Sequence, residues 1–426
     1  MKQILIVLFC SMTLATSAQN VTLDECIGMA RENYPLIKKY KLIDRTTRID
    51  LSDVGKSWLP QIGVYAQGTV QNDVPGFPDD MLPMLAELGI DMPGIRNDQY
   101  KVGVDVNQTI WDGGQSKADR DVIQADARVQ TAANDVELYV VEERVQDLFF
   151  AILLVEAQVE QNKLTAKLLQ SNLDRLRSML ANGTATQSDA DVVEAEYLTV
   201  SQNIVRLQGN AESYRRMLEI FIASPLAGKT LECPSAEVPT NLQPDRPELS
   251  RFDAELMKIE SQRKQIKVST LPKIGFFAQA YYGYPGYDYF HSMMSRDWTF
   301  NVTAGIKMSW TIDAFYTKKN RLSKLSLAGK NIETSRDVFL FNTNLTSVQK
   351  QTDIWQQQAV LAEDARIVEL RTSVRKAAES RLANGVIDTT DLLGKITDEA
   401  TATLNAAYHK IELVKTIYQL RHTLNR

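Results

Sequence analysis

The chain has 426 residues, with 48 Lys and Arg against 53 Asp and Glu, 44% hydrophobic residues and three cysteines. A formal net charge of -5 excludes a strongly basic nucleic-acid binder. His291, His409 and His422 are scattered too widely to suggest a metal site, and no nucleophile, base or ligand set stands at an informative spacing. No catalytic, cofactor-binding or metal-ligating residue is therefore assigned.

The first residues hold Lys2, an apolar run from Ile4 to Cys10 and the small residues Ala15-Thr16-Ser17-Ala18. Ser11 and Thr13 leave the run too short for a membrane helix, so residues 1–18 read as a secretory signal peptide that removes Cys10. Cys26 and Cys233 remain, and their spacing leaves open whether they pair. Residues 19–223 read as a first structural repeat of N-terminal helices, two strands and a long helical hairpin. Its first strand starts at Leu59-Pro60 and runs into a loop with its prolines crowded into Val74–Pro93, and in and beside that stretch Asp73, Asp79, Asp80, Glu87, Asp91 and Asp98 oppose a single Arg96. That loop is a solvated outer surface. The second strand alternates Val102, Val104 and Val106 with Gly103, Asp105 and Asn107, which gives it one apolar and one polar face.

Trp111-Asp112-Gly113-Gly114 then forms a structural corner, because no lysine or further glycine pattern follows to make it a phosphate loop. Beyond it no proline occurs for the rest of a 131-residue stretch, Gly94 to Ser224. Proline breaks helix interiors, so long helices fill such a gap. Ala118, Val122, Ala125, Val129, Ala132, Val136 and Tyr139 step by 4 and 3, the spacing of a coiled coil. The expected helix, Gln115–Ala181, has 67 residues, about 100 Å at 1.5 Å per residue. Asn182-Gly183 stops it, Ser188-x-x-Asp191 resembles a capping box, and Ser188–Ile222 runs back.

Residues 224–247 hold five prolines and read as a linker and equatorial segment. Gly228-Lys229-Thr230 ends like a nucleotide loop, but Ala223 replaces the leading glycine, Pro225 intrudes and a helix precedes it, so nucleotide binding is rejected.

Residues 248–426 repeat the plan as helix, two strands and hairpin. Leu271-Pro272 starts a strand 212 residues after Leu59-Pro60. A loop region crowded with Tyr281, Tyr282, Tyr284, Tyr287, Tyr289, Phe290 and Trp298 follows, read as an interfacial aromatic girdle and loop packing. Val302, Ala304, Ile306, Met308 and Trp310 form the apolar face of the next strand. Thr317–Ala383 is the second 67-residue helix, with Asn384-Gly385 as its stop, 202 residues after Asn182-Gly183. Asp388-x-x-Asp391 caps the return helix, Thr389–Leu424.

Four strands, apolar on one face and polar on the other, make an open sheet, and open edges are fatal in lipid, where every backbone group needs a partner. Several chains must close one barrel, and three give 12 strands with a polar lumen. The fold class is thus mainly α with β: a long antiparallel α-helical coiled-coil barrel plus four strands per chain in a trimeric 12-stranded transmembrane β-barrel, with internal duplication. The rival is a secreted coiled-coil scaffold or adaptor that does not span the membrane, which would need an apolar layer over the strands.

The opening Thr22-Leu23-Asp24-Glu25-Cys26 with Ala30 and Asn33-Tyr34-Pro35, the two Leu-Pro strand starts, Trp111-Asp112-Gly113-Gly114 and the two Asn-Gly turns resemble the TolC-like outer membrane efflux proteins, over essentially the whole chain after the signal. The resemblance implies a homotrimer in the outer membrane of a Gram-negative cell with a periplasmic helical tunnel. It implies a passive exit duct for small molecules or proteins, serving a tripartite efflux or type I secretion system. Its partners would be outer membrane lipid, a periplasmic adaptor protein and an inner-membrane pump. It places Asn182, Gly183, Asn384 and Gly385 at the helical turns where an adaptor docks, and Asp391 at a periplasmic gate. Gly394, Leu382 and Ile387 stand where the family pattern has a second Asp, a Tyr and an Arg, so the family's closing network is not carried over.

Overall fold

A computed structural model describes residues 20–426; the signal segment, residues 1–18, lies outside the described residues. In chain order the elements are β1 (Asn20–Val21), α1 (Leu23–Asn33), α2 (Ile37–Lys56), β2 (Gln61–Val70), α3 (Leu82–Glu87), β3 (Asp98–Trp111), α4 (Gln115–Ala181) and α5 (Gln187–Ile222). There follow β4 (Thr230–Leu231), α6 (Pro247–Val268), β5 (Lys273–Tyr284), α7 (Tyr289–Met294), β6 (Thr299–Ser309), α8 (Ala314–Ala383) and α9 (Thr389–Leu424). The order α2-β2-β3-α4-α5 recurs as α6-β5-β6-α8-α9, each strand pair enclosing one short helix, which is the duplication expected from the sequence. Among the described residues no helix is long and apolar enough to cross a membrane.

The chain divides into two compact units. One, the helical unit, is formed by the chain up to Lys41 with Ala132–Arg251 and Ser335–Arg426; the other, the sheet unit, by Leu42–Thr131 and Phe252–Thr334.

In the helical unit α4 and α5 pack through Val145, Phe149, Ile152, Leu218 and Ile222, whose exposures are 1% or less. α1 closes over them with Leu23, Cys26 and Ala30. It starts at a full capping box: Thr22 accepts from the Glu25 amide at 3.3 Å, and the Glu25 carboxylate accepts from the Thr22 amide at 2.9 Å. These hydrogen bonds hold the Glu25 carboxyl below its ordinary range. β1 pairs in parallel with β4, so the segment next to the signal is tied to the linker by a contact too short to be legible in sequence.

Both remaining cysteines are free thiols, Cys26 buried and Cys233 exposed. Burial pushes the Cys26 thiol up to about 11, and only the thiolate attacks a reagent. The native protein at pH 8 should therefore react with one equivalent of Ellman's reagent, at Cys233, and with a second only after denaturation. No reaction before reduction would mean that the two are paired.

In the sheet unit four strands run in the order β2-β3-β5-β6, all antiparallel, leaving β2 and β6 as edges. The register slips once, between Thr109 and Trp111 of β3. Directly opposite residues lie on the same face, so the pairings Val64–Val104, Val104–Ala280 and Ala280–Val302 define one face, and Gly63–Asp105, Asp105–Gln279 and Gln279–Thr303 the other.

The turn from β3 into α4 needs two successive left-handed residues, Gly113 (φ 70°) and Gly114 (φ 87°). A Cβ on Gly113 would also come within 2.9 Å of the Leu271 Cβ. Asp112 caps the helix, accepting from the Gly114 amide at 2.8 Å and the Ser116 amide at 2.6 Å. Burial alone would push its carboxyl up, yet the hydrogen bonds outweigh burial and hold it below the usual range.

Candidate functional site

Two regions carry the residues that the sequence singles out: the two faces of the sheet, and the two helical turns.

On the sheet, Val104 and Ile306 lie on the apolar face, Asp105 and Lys307 on the polar one, as the alternation in each strand predicts. The apolar face is bare. Ile62 is 70% exposed, Val64 79%, Val302 58% and Ile306 74%. A sheet in water hides such a face, because each fully buried aliphatic side chain contributes about 1.5–3 kcal/mol. At the loop end Tyr282 packs on Trp298 with ring centroids 5.5 Å apart, and Phe300 stands opposite Tyr282 on β6. These rings stand together at the loop end of the apolar face. The other aromatics pack the loops: Tyr284 is buried with Ile95 and Met293, Phe290 meets Phe77, and Tyr287 meets Tyr281 edge-on.

The polar face is concave. It carries an open groove of about 550 Å³ lined by Tyr65, Gln67, Asp105, Asn107, Phe277, Gln279 and Lys307. Glycines Gly63, Gly103 and Gly305 on this face let larger side chains lie flat. A Cβ on Gly103 would sit 2.9 Å from Tyr65 Cζ, and one on Gly305 3.0 Å from Phe277 Cε1. The glycine–aromatic pairing was missed in the sequence because it joins residues on different strands.

At the turns, Gly183 (φ 73°) and Gly385 (φ 68°) take the left-handed conformation that stops each long helix. Thr184 N–H donates to Met179 O at 2.9 Å and Gly183 N–H to Leu180 O at 3.0 Å; Val386 donates to Arg381 and Gly385 to Leu382, each at 2.9 Å. Both ends are therefore Schellman motifs, with Asn182, Gly183, Asn384 and Gly385 all exposed.

The first return helix starts one residue earlier than expected, and its capping box is not Ser188–Asp191. Thr186 is the N-cap and Asp189 its partner; Asp189 accepts from the Thr186 amide at 3.0 Å and hydroxyl at 2.6 Å, while Asp191 is held by Gln187. The hydrogen bonds from Thr186, with a further one from Thr389, hold the Asp189 carboxyl below its ordinary value. At the second turn Asp388 caps α9 by accepting from the Asp391 amide at 2.8 Å, and no reciprocal bond closes a box.

Two residues that look equivalent in sequence thus differ. The carboxylate of Asp189 is used up in a cap, whereas Asp391 is exposed and contributes its backbone amide to the cap. Replacing Asp388 by Ala should cost about 1 kcal/mol of stability, and Asp391→Asn much less, measured as thermal midpoints of the two variants. A larger loss in Asp391→Asn would make that carboxylate structural.

The three histidines serve separate places. His409 Nδ1 lies 2.8 Å from the carboxylate of Asp364, which is 6% exposed. His422 stacks on Tyr139 with ring centroids 4.0 Å apart, and burial lowers its pKa. His291 belongs to the short helix α7.

Residues 26–219 match the family model described as outer membrane efflux protein. Among solved structures, the chain is similar to the outer membrane protein VceC from Vibrio cholerae at 13% identity and TM-score 0.67, over 94% of this chain and 95% of that one. It is similar to the MtrE outer membrane channel of Neisseria gonorrhoeae, crystallised in its open state, at 13% identity and TM-score 0.64, over 94% and 88% of the two chains. A membrane protein from Pseudomonas aeruginosa gives 11% identity and TM-score 0.69, over 96% and 91%. No curated protein sequence matches the chain.

Proposed function

We propose, from the match of residues 26–219 to the outer membrane efflux protein family model and from the fold shared with solved outer membrane channels, that three copies close one 12-stranded barrel and act as a passive exit duct docked by a periplasmic adaptor and an inner-membrane pump. The chain itself is an outer membrane channel of the efflux type, with a periplasmic helical part.

The observation that carries the trimer is the open four-stranded sheet. β2 and β6 have unpaired edges beside an uncovered apolar face, and in lipid every edge group must be paired. Pairing β6 of one copy with β2 of the next satisfies both edges at once, and three copies give an even number of strands around a lumen lined by the polar face. A second feature supports it: Phe341, Leu345, Val348 and Trp355 lie at 3–4 and 7 residue steps on α8 and are 56–69% exposed. Such a stripe is the seam of a helix that packs on another copy. A secreted scaffold accounts for the helix stripe but not for the sheet, because no described element covers the apolar face of the sheet unit.

Light scattering on protein extracted from outer membranes in mild detergent should return the mass of three chains, and a monodisperse monomer would reject the trimer.

At the turns we infer that Asn182, Gly183, Asn384 and Gly385 form the adaptor's landing place and that Asp391 lines the periplasmic gate. Threefold symmetry makes one Asp391 into three carboxylates that repel one another and attract cations. Asp391→Asn should lower the cation preference of single channels in planar bilayers and weaken block by multivalent cations added on the periplasmic side. Unchanged selectivity with a clear loss of stability would leave Asp391 as a structural residue.

A further inference from the structure

The polar face of the sheet carries its charge unevenly. Its strand positions include Lys101, Lys273 and Lys307 against the single carboxylate of Asp105. That carboxylate is already engaged, accepting from Asn107 Nδ2 at 3.2 Å and lying against Gly63. Among the described residues the lysines have no carboxylate partner; the Lys101 ammonium instead sits 5.0 Å from the centre of the Tyr281 ring. The uncompensated charge of this wall is positive, although the whole chain is acidic.

The positions form an ordered ladder. Lys307 stands level with Gly275 of β5, Phe277 follows, Asp105 is level with Gln279, Tyr65 and Tyr281 flank Gly103, and Lys101 is level with Gly283. From Lys307 to Lys101 is thus eight β5 residues, about 27 Å at ~3.4 Å per residue. Rings therefore lie between the two lysine levels, and the open groove of about 550 Å³ spans Lys307, Phe277 and Tyr65. That volume falls within the range of small-molecule pockets, about 300–1,000 Å³.

We propose that the inner wall of the barrel is a cationic and aromatic binding strip for organic anions that carry a planar ring, such as aromatic carboxylates. Lys307 takes the carboxylate and Phe277 and Tyr65 take the ring; Lys101, held over the buried ring of Tyr281, adds positive charge toward the loops. A fixed positive charge in a narrow aqueous passage raises the local concentration of anions, and rings seated on glycines offer apolar area to any planar solute without hydrogen-bond readout. The strip retains such solutes briefly and hands them along the wall, which makes the barrel selective in its own right. This inference rests on the reading of the sheet as one third of a barrel.

The test uses the purified full-length protein in planar bilayers, with 1-naphthoate added on the loop side. Cyclohexanecarboxylate, which has the charge without the π ring, and 1-naphthylmethylammonium, which has the ring with the opposite charge, are the controls. Naphthoate should interrupt the ion current at a concentration at least tenfold below either control. Lys307→Gln and Phe277→Leu, both mild enough to keep the sheet, should each raise its half-blocking concentration threefold or more. Conducting channels that naphthoate does not block, or that all three probes block alike, or whose block survives both substitutions, would overturn the inference and leave the duct reading intact. Absence of any ion current would contradict the duct reading and take the inference with it.

Discussion

Lysine placed at Val104 should cost the assembled protein about 2–4 kcal/mol per chain if that residue lies near the bilayer midplane, and lysine at the neighbouring Asp105 should cost far less. The two side chains leave the same strand on opposite faces. Val104 pairs with Val64 and Ala280 on the face where Ile306 is 74% exposed, so an ammonium there meets hydrocarbon. A lysine at 105 joins a face that already holds Lys101 and Lys307. Ile306→Lys should repeat the Val104 result on the other strand pair. The effect is threefold in a trimer, so the yield of assembled protein on unheated gels should collapse for 104 and 306 and hold for 105. Equal tolerance at 104 and 105 would mean that the faces are exchanged or that neither meets lipid.

Phe149→Ala should cost about 3–5 kcal/mol, a loss of comparable size from the opposite source. Phe149 is fully buried in the chain's own core, packed edge-on to Phe150 at 6.1 Å and enclosed by α1, α4, α5 and α9 residues. Truncating it leaves a cavity that a 67-residue helix cannot collapse around without bending. The thermal midpoint should drop sharply in detergent whatever the oligomeric state. A change below about 1 kcal/mol would show that α1 does not close over the hairpin.

The long helices were legible because their limits are chemical. Proline cannot enter them, Gly113-Gly114 precedes the first, Asn-Gly ends both, and α4 begins and ends where those signals put it. The second long helix starts three residues before the expected Thr317, at Ala314, because Ile312-Asp313 lacks the glycine pair that fixes the first corner. Strand faces were legible from the period of 2 alone. What was hidden depends on pairing between distant segments: the β1–β4 contact, the register slip at Thr109, and the rings of Tyr65 and Phe277 lying over glycines of other strands. The capping box failed for a subtler reason. Thr186-x-x-Asp189 and Ser188-x-x-Asp191 overlap, both satisfy the pattern, and only the backbone decides that Thr186 is extended (φ -99°, ψ 160°) while Ser188 is already helical. That choice engages the Asp189 carboxylate and leaves Asp191 to Gln187.

The central claim is that the open sheet of one chain is one third of a closed barrel, and electron cryo-microscopy of the protein extracted from outer membranes tests it most directly. The map should show threefold symmetry and 12 strands, with β6 of each copy hydrogen-bonded to β2 of the next, Val64 and Ile306 facing detergent and Lys307 facing the lumen. A single chain with both edges free, or a sheet whose apolar face is covered by protein, would contradict it.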